Sequence, residues 1–270
     1  MRKIGFIGAG NMAGSIIQGV LCSGLLSASE MAICDVDESQ CKKREEQHPG
    51  IWVAKDNVTL VEQCEWIVLA VKPVYLDGVL EEIKTHAAGK KFISVAAGWT
   101  VAMLSDYLGI ASGARLLRVM PNTPAIVGEG YTALCDEHTL LKEDFDWVKM
   151  LFQTFGKTDV FPESLFDGVI AISGSSPAYA FMMIEAMADG GVKLGMPRDI
   201  AYRAAAQSML GAAKMVLETG EHPAKLKDNV CSPGGTTIEA VHALEKHGFR
   251  NAVISAMQHC AKRSAELSKK

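Results

Sequence analysis

Two glycine-bearing stretches in the 270-residue chain carry the residue types that hold anions. The first is Gly8-Ala9-Gly10-Asn11-Met12-Ala13-Gly14, near the start, and the second is Ser232-Pro233-Gly234-Gly235-Thr236-Thr237, near the end. In the first, Gly8 permits a tight turn, Gly10 lets a pyrophosphate approach the backbone, and Ala13 or Gly14 lets the next helix pack close to its strand. Free N–H groups and partial positive charge at that helix start then face the phosphates. In the second, Gly234 and Gly235 free the backbone and Thr236-Thr237 open a helix. Successive N–H groups there suit a guest smaller than a dinucleotide, such as a carboxylate. A threonine hydroxyl beside them can donate or accept. The same residues also describe an ordinary helix start after a Pro-Gly turn.

Positions after the first loop extend the dinucleotide reading. Asp35 lies some 20 residues on, where an acid accepts hydrogen bonds from a ribose 2′-hydroxyl. A carboxylate there repels a 2′-phosphate, so the expectation is NAD(P)H with a lean toward NADH. Lys42, Lys43 and Arg44 could reach a phosphate, but such a charge run reads more simply as a solvated helix face. Ala70-Val71-Lys72-Pro73 and Ala96-Ala97-Gly98 follow strand patterns at their C-terminal ends, where open α/β sheets bind ligands. Lys72 either meets a phosphate or carboxylate or starts a surface helix. Asn122, between Pro121 and Pro124, is either a turn residue or a polar wall of the nicotinamide pocket.

Elements able to position these loops are legible in outline. Apolar runs at 4–8, 31–35, 66–71, 91–95 and 115–120 read as buried strands, with helical spacing at 13–22. The expected fold is α/β: a doubly wound, Rossmann-type dinucleotide-binding domain over residues 1–161, with a parallel sheet. Beyond Pro162 the strand patterns cease and Ala, Met, Glu and Lys dominate. An all-helical substrate-binding and dimerisation domain is expected over 162–270, with helices at 178–194, 198–218, 236–247 and 250–267. Gly220 and Gly248 occupy cap positions. The 178–194 segment is apolar nearly all round, so it must be covered, and a second subunit is the expected cover.

Composition narrows the class. Apolar residues make up 49% and charged residues 21%, as in soluble globular proteins. A net charge of −4 argues against a nucleic-acid binder. Seven cysteines, an odd number with no C-x-x-C pair, suit reduced thiols in a cytoplasmic protein. The seven histidines form no ligand cluster, and no metal is expected. No uninterrupted apolar run reaches membrane-span length, and no signal peptide is indicated.

The stretch Leu226-Lys227-Asp228-Asn229-Val230-Cys231-Ser232-Pro233-Gly234-Gly235-Thr236-Thr237-Ile238-Glu239-Ala240 closely resembles the signature of the pyrroline-5-carboxylate reductases. Gly174-Ser175-Ser176-Pro177-Ala178-Tyr179, Val119 to Pro124 and Val71-Lys72-Pro73 also resemble motifs of that family, and the resemblance runs over essentially the whole chain. It implies hydride transfer to the C5=N imine of 1-pyrroline-5-carboxylate, giving L-proline. It implies that Gly235, Thr236 and Thr237 hold the substrate carboxylate by backbone N–H groups, that Thr237 is the catalytic candidate near the ring nitrogen, and that Asn229, Ser232 and Gly234 complete the pocket. Gly8, Ala9, Gly10, Asn11, Met12, Ala13, Asn57, Ala70, Val71, Lys72, Pro73, Ala97 and Gly98 are implied to bind cofactor. A homodimer or a larger ring of dimers is implied as well. Asp35 departs from members that favour NADPH, which often carry a small hydroxyl residue there.

Two other classes frame the reading. The 3-hydroxyacid dehydrogenases have a similar architecture and a catalytic lysine on the long helix, which Lys193 could match. Their asparagine one turn later is Pro197 here. A non-catalytic dinucleotide sensor would have no use for the intact Gly-Gly-Thr-Thr loop.

Overall fold

The computed structural model describes residues 2–109 and 113–268. The chain opens with β1 (Arg2–Ile7), which is buried along its apolar half and delivers Gly8 to the first turn. Helix α1 (Asn11–Ser23) follows and buries Ala13, Ile16, Ile17 and Val20. Then come β2 (Met31–Cys34), α2 (Glu38–Gln47), β3 (Trp52–Val53), α3 (Asn57–Gln63), β4 (Cys64–Leu69) and α4 (Pro73–Ile83). Strand β5 (Lys91–Ser94), α5 (Val101–Leu108) and β6 (Arg115–Met120) follow, and β1, β2, β4, β5 and β6 are the strands anticipated from the apolar runs.

The sheet is larger than the sequence suggests. Besides the short edge strand β3, it adds β7 (Gly130–Cys135) and, after α6 (Lys142–Gln153), an edge strand β8 (Gly156–Phe161). The eight strands run β3-β2-β1-β4-β5-β6-β7-β8. All pairs are parallel except β6 with β7, where Val119 faces Leu134 and Met120 faces Ala133 antiparallel. The expectation of a wholly parallel sheet is corrected at this pair. The link from β6 to β7 is a short 3₁₀ segment, too short for a parallel crossover. Apolar cores lie on both faces, one built on Phe6, Ile16, Trp66 and Phe152, the other on Ile67, Leu76, Phe92 and Leu116.

After β8 come α7 (Phe166–Val169), a π-helical stretch over 170–174, and α8 (Ser176–Lys193). The helical run Glu163–Lys193 is 31 residues long and contains an 18-residue window of mean hydropathy 1.2, enough by length and composition to cross a membrane. It is not an uninterrupted apolar run, because Asp167, Glu185 and Asp189 break it. Helices α9 (Arg198–Thr219), α10 (Pro223–Val230), α11 (Thr236–Lys246) and α12 (Phe249–Leu267) finish the chain. Gly220 closes α9 in the left-handed conformation, and Gly248, also at positive φ, follows α11.

The chain forms two compact units, residues 1–175 with 260–270, and residues 176–259. This division differs from a break at 161/162. Phe166, Val169 and Ile170 belong to the sheet unit's core, and Ser264 on α12 donates to Asp167 at 2.6 Å. In the helical unit, α8 and α9 approach through small residues. Ala188, Ala201 and Ala205 are buried, and a Cβ on Gly191 would sit 3.2 Å from the Ala201 Cβ. Most of that unit's large apolar side chains are exposed, among them Phe181, Met182, Leu194 and Leu217.

Candidate functional site

The strand order reverses between β1 and β4, and a 530 Å³ cleft opens at the C-terminal ends of β1, β2 and β4. That is where open α/β sheets take ligands. Gly8, Gly10 and Asn11 form one wall, with Asp35, Asn57 and Ala70 to Lys72 around the rest.

The two glycines serve different needs. Gly8 has φ of 99°, and a Cβ there would stand 2.6 Å from the Ala70 carbonyl oxygen. Only glycine lets the two strand ends approach this closely. At Gly10 a Cβ would meet nothing within 4 Å, so its bareness leaves open space for a guest. Gly10 is also the N-cap of α1 and makes no side-chain cap. The first N–H groups of α1 are thus left for an anion.

Asp35 stands at the end of β2. Its Oδ2 accepts from the Ala9 N–H at 2.7 Å and its Oδ1 from the Asp37 N–H at 3.0 Å. The carboxylate therefore braces the glycine loop, and each oxygen keeps a second lone pair for a ribose hydroxyl. Lys72 starts a helix, as one of its alternatives had it: it is the N-cap residue of α4, with Pro73 in the first turn, and it also lines the cleft. Pro73 itself accepts from the Trp99 indole at 3.1 Å. Asn57 lines the cleft and donates to Glu82 at 2.8 Å.

Other candidates stand elsewhere. Ala9 and Ala13 are wholly buried, and Met12 packs against the same core. Ala97 packs there too, and Gly98, at φ of 78°, lies under Leu267. Asn122 spends its amide inside the fold, donating to the Ser173 carbonyl at 3.1 Å and accepting from the Tyr131 N–H at 2.8 Å. It is a clamp on the turn after β6. Lys42 and Lys43 are exposed as anticipated, but Arg44 is not on a solvated face: it is buried and points back to the glycine loop. Cys34, Val36, Asp37, Gln40 and Tyr75 line the cleft without having been foreseen. An acid just past β2 was the available signal for the Val36 to Gln40 segment. Burial pushes the Cys34 thiol up to about 12, so it is an inert wall.

In the helical unit, Asn229 occupies the last turn of α10 and Cys231 caps it. Gly234 takes φ of 65°, and the Gly235 N–H donates to the Ser232 carbonyl at 3.0 Å. This corrects the expectation for Gly235, whose N–H closes the turn instead of facing a ligand. A Cβ on Gly235 would collide with the Ser232 hydroxyl. Gly235 then caps α11 with no side-chain bond, which leaves the N–H groups of Thr236 and Thr237 uncapped. Thr236 is exposed and Thr237 half-buried.

Residues 163–267 match the family described as pyrroline-5-carboxylate reductase dimerisation, and residues 3–98 match NADP oxidoreductase, coenzyme F420-dependent. The pyrroline-5-carboxylate reductase of Escherichia coli is 45% identical over 270 residues, covering 99% of both chains. The chain belongs to the pyrroline-5-carboxylate reductase family. The Arabidopsis thaliana pyrroline-5-carboxylate reductase is 44% identical over 268 residues, with 98% of this chain and 95% of that one covered. A crystal structure of the Plasmodium falciparum pyrroline carboxylate reductase, with NADP bound, superposes at TM-score 0.90 and 30% identity over 99% of this chain and 98% of that one.

Within a pyrroline-5-carboxylate reductase the exposed apolar helices are explained. Phe181, Met182, Leu194 and Leu217 all lie inside the dimerisation match. The cleft fits a dinucleotide: Gly10 leaves room, the first turn of α1 is uncapped, and Asp35 lines the wall at the end of β2. The hydroxyacid alternative lacks its partner residue, since α8 ends at Lys193 and Pro197 is the N-cap of α9.

Proposed function

We propose that the protein reduces 1-pyrroline-5-carboxylate to L-proline by hydride transfer from NAD(P)H to the C5=N imine. The observation that carries this reading is family membership over the full chain. The uncapped start of α11 supports the assignment of Thr236 and Thr237 to the substrate.

The nicotinamide, when bound, supplies the hydride, and the chain supplies orientation. The Thr236 and Thr237 N–H groups hold the substrate carboxylate at the positive end of α11. Anchoring one end of a small, stiff ring fixes the place of its imine carbon. With the imine nitrogen protonated, C5 takes the hydride and nitrogen keeps the former π pair, so no strong acid is required of the protein. The Thr237 hydroxyl orients the ring N–H, and Asn229 and Ser232 close the pocket. Asp35 favours the free ribose 2′-hydroxyl, so NADH serves at least as well as NADPH. The working unit is a homodimer or a ring of dimers. Its seven free thiols suit the cytoplasm.

The test is product analysis. With NADH and racemic 1-pyrroline-5-carboxylate, L-proline accumulates. Reduction of NAD by a 3-hydroxyacid without imine reduction would move the protein to the hydroxyacid class. Dinucleotide binding without turnover of either would make it a sensor.

A further inference from the structure

Arg44 is only 6% exposed, yet it forms no ion pair with any described residue. Its Nε donates to the Ala9 carbonyl at 3.0 Å, Nη2 to the Gly10 carbonyl at 2.9 Å, and Nη1 to Gln47 Oε1 at 2.8 Å. A buried guanidinium with no counter-ion is costly, and burial holds its pKa below the ordinary value. Such a group persists where something else requires its charge.

The peptide geometry shows what that is. In a trans peptide the N–H points opposite to its carbonyl, and the chain has no cis bond among the described residues. Pinning the Ala9 and Gly10 carbonyls against Arg44 therefore aims the Gly10 and Asn11 N–H groups the other way. Both residues line the cleft, and neither N–H has a partner within the described chain. The Ala9 N–H is already taken by Asp35.

We propose that Arg44 is the positioning residue of the dinucleotide loop: it turns two carbonyls from the cleft, aims two N–H groups into it, and places behind the loop a positive charge that the pyrophosphate balances. The proposal rests on the dinucleotide reading of the cleft. It also separates Arg44 from a 2′-phosphate reader, because three of its donors are spent on the loop and on Gln47 and the group is buried. Its effect falls on the pyrophosphate that NADH and NADPH share.

The experiment titrates the full-length protein with NADH, NADPH and ADP-ribose by calorimetry. In Arg44→Met all three affinities fall together, by roughly ten- to hundredfold. Arg44→Lys, which keeps the charge, recovers part of the loss. Gly14→Ala, which drives a methyl into the guanidinium, lowers all three while leaving the arginine in place, and carries the test alone if Arg44→Met does not fold. Unchanged affinities in these variants, or a loss confined to NADPH, would overturn the proposal. Failure of the unmodified protein to bind any of the three would overturn the dinucleotide reading instead.

Discussion

Gly14 is bare because Arg44 lies across it: a Cβ on Gly14 would overlap the guanidinium carbon and both terminal nitrogens. The third glycine of the loop thus makes room for a side chain 30 positions away, while Ala13 is buried in the core. Overpacking a site of this kind costs about 1–3 kcal/mol. Gly14→Ala is expected to lower the unfolding free energy from urea melts by that amount. The same change made on Arg44→Met is expected to cost much less, since the obstructed group is gone. Additive losses in this double-mutant cycle would refute the pairing.

Asp35 braces the glycine loop, and the proposed cofactor choice gives it a second role that one substitution tests. Asp35→Ser removes the acceptor of the Ala9 and Asp37 N–H groups, so stability falls by about 1–2 kcal/mol. It also removes the charge facing a 2′-phosphate, so the ratio of kcat/KM for NADPH over NADH rises. Steady-state rates with both nucleotides read the second effect. A ratio that stays put would leave Asp35 as a brace only.

Thr237→Ala is expected to leave NADH affinity intact and to lower kcat/KM for the imine by about tenfold or more. Thr237→Ser, which keeps the hydroxyl, restores most of it. Retention of the full rate in the alanine variant would remove the Thr237 hydroxyl from the reaction.

Two imidazoles make stability depend on pH in the mildly acidic range. Burial, then the charge of Arg44, holds His48 below its ordinary pKa, and burial does the same at His138. Both are neutral in the fold under conditions where the unfolded chain takes up a proton. Stability is therefore full above pH about 6.5 and declines as the pH falls from there toward the folded-state values. Urea melts across that range should show the decline, and His48→Gln should make it shallower. Stability that rises on acidification through this window would contradict the assignment.

The apolar helical unit predicts assembly. Light scattering should give a mass of at least two chains. Phe181→Glu with Met182→Glu should shift the mass toward one chain, since both side chains are exposed in the single chain. An unchanged mass would place the interface elsewhere.

What the sequence disclosed follows the reach of each interaction. Gly8, Gly10, Asp35 and the Ala70 to Lys72 turn were legible because each acts at a strand end with chemistry its own neighbours reveal. The all-helical character after Pro162 was legible from composition. Arg44 was not, because its inward turn depends on space left by Gly14. Val36, Gln40 and Tyr75 reach the cleft only through the way α2 and α4 leave the sheet. The Gly235 N–H looked free until the turn to Ser232 closed on it. Strand β7 was missed because it pairs antiparallel after a short link, outside the βα rhythm that marked the others.

The central claim is tested most directly by initial rates of nucleotide oxidation with 1-pyrroline-5-carboxylate, measured with NADH and NADPH in parallel. The account predicts imine-dependent oxidation, with NADH at least as effective as NADPH. No turnover with either nucleotide would contradict it.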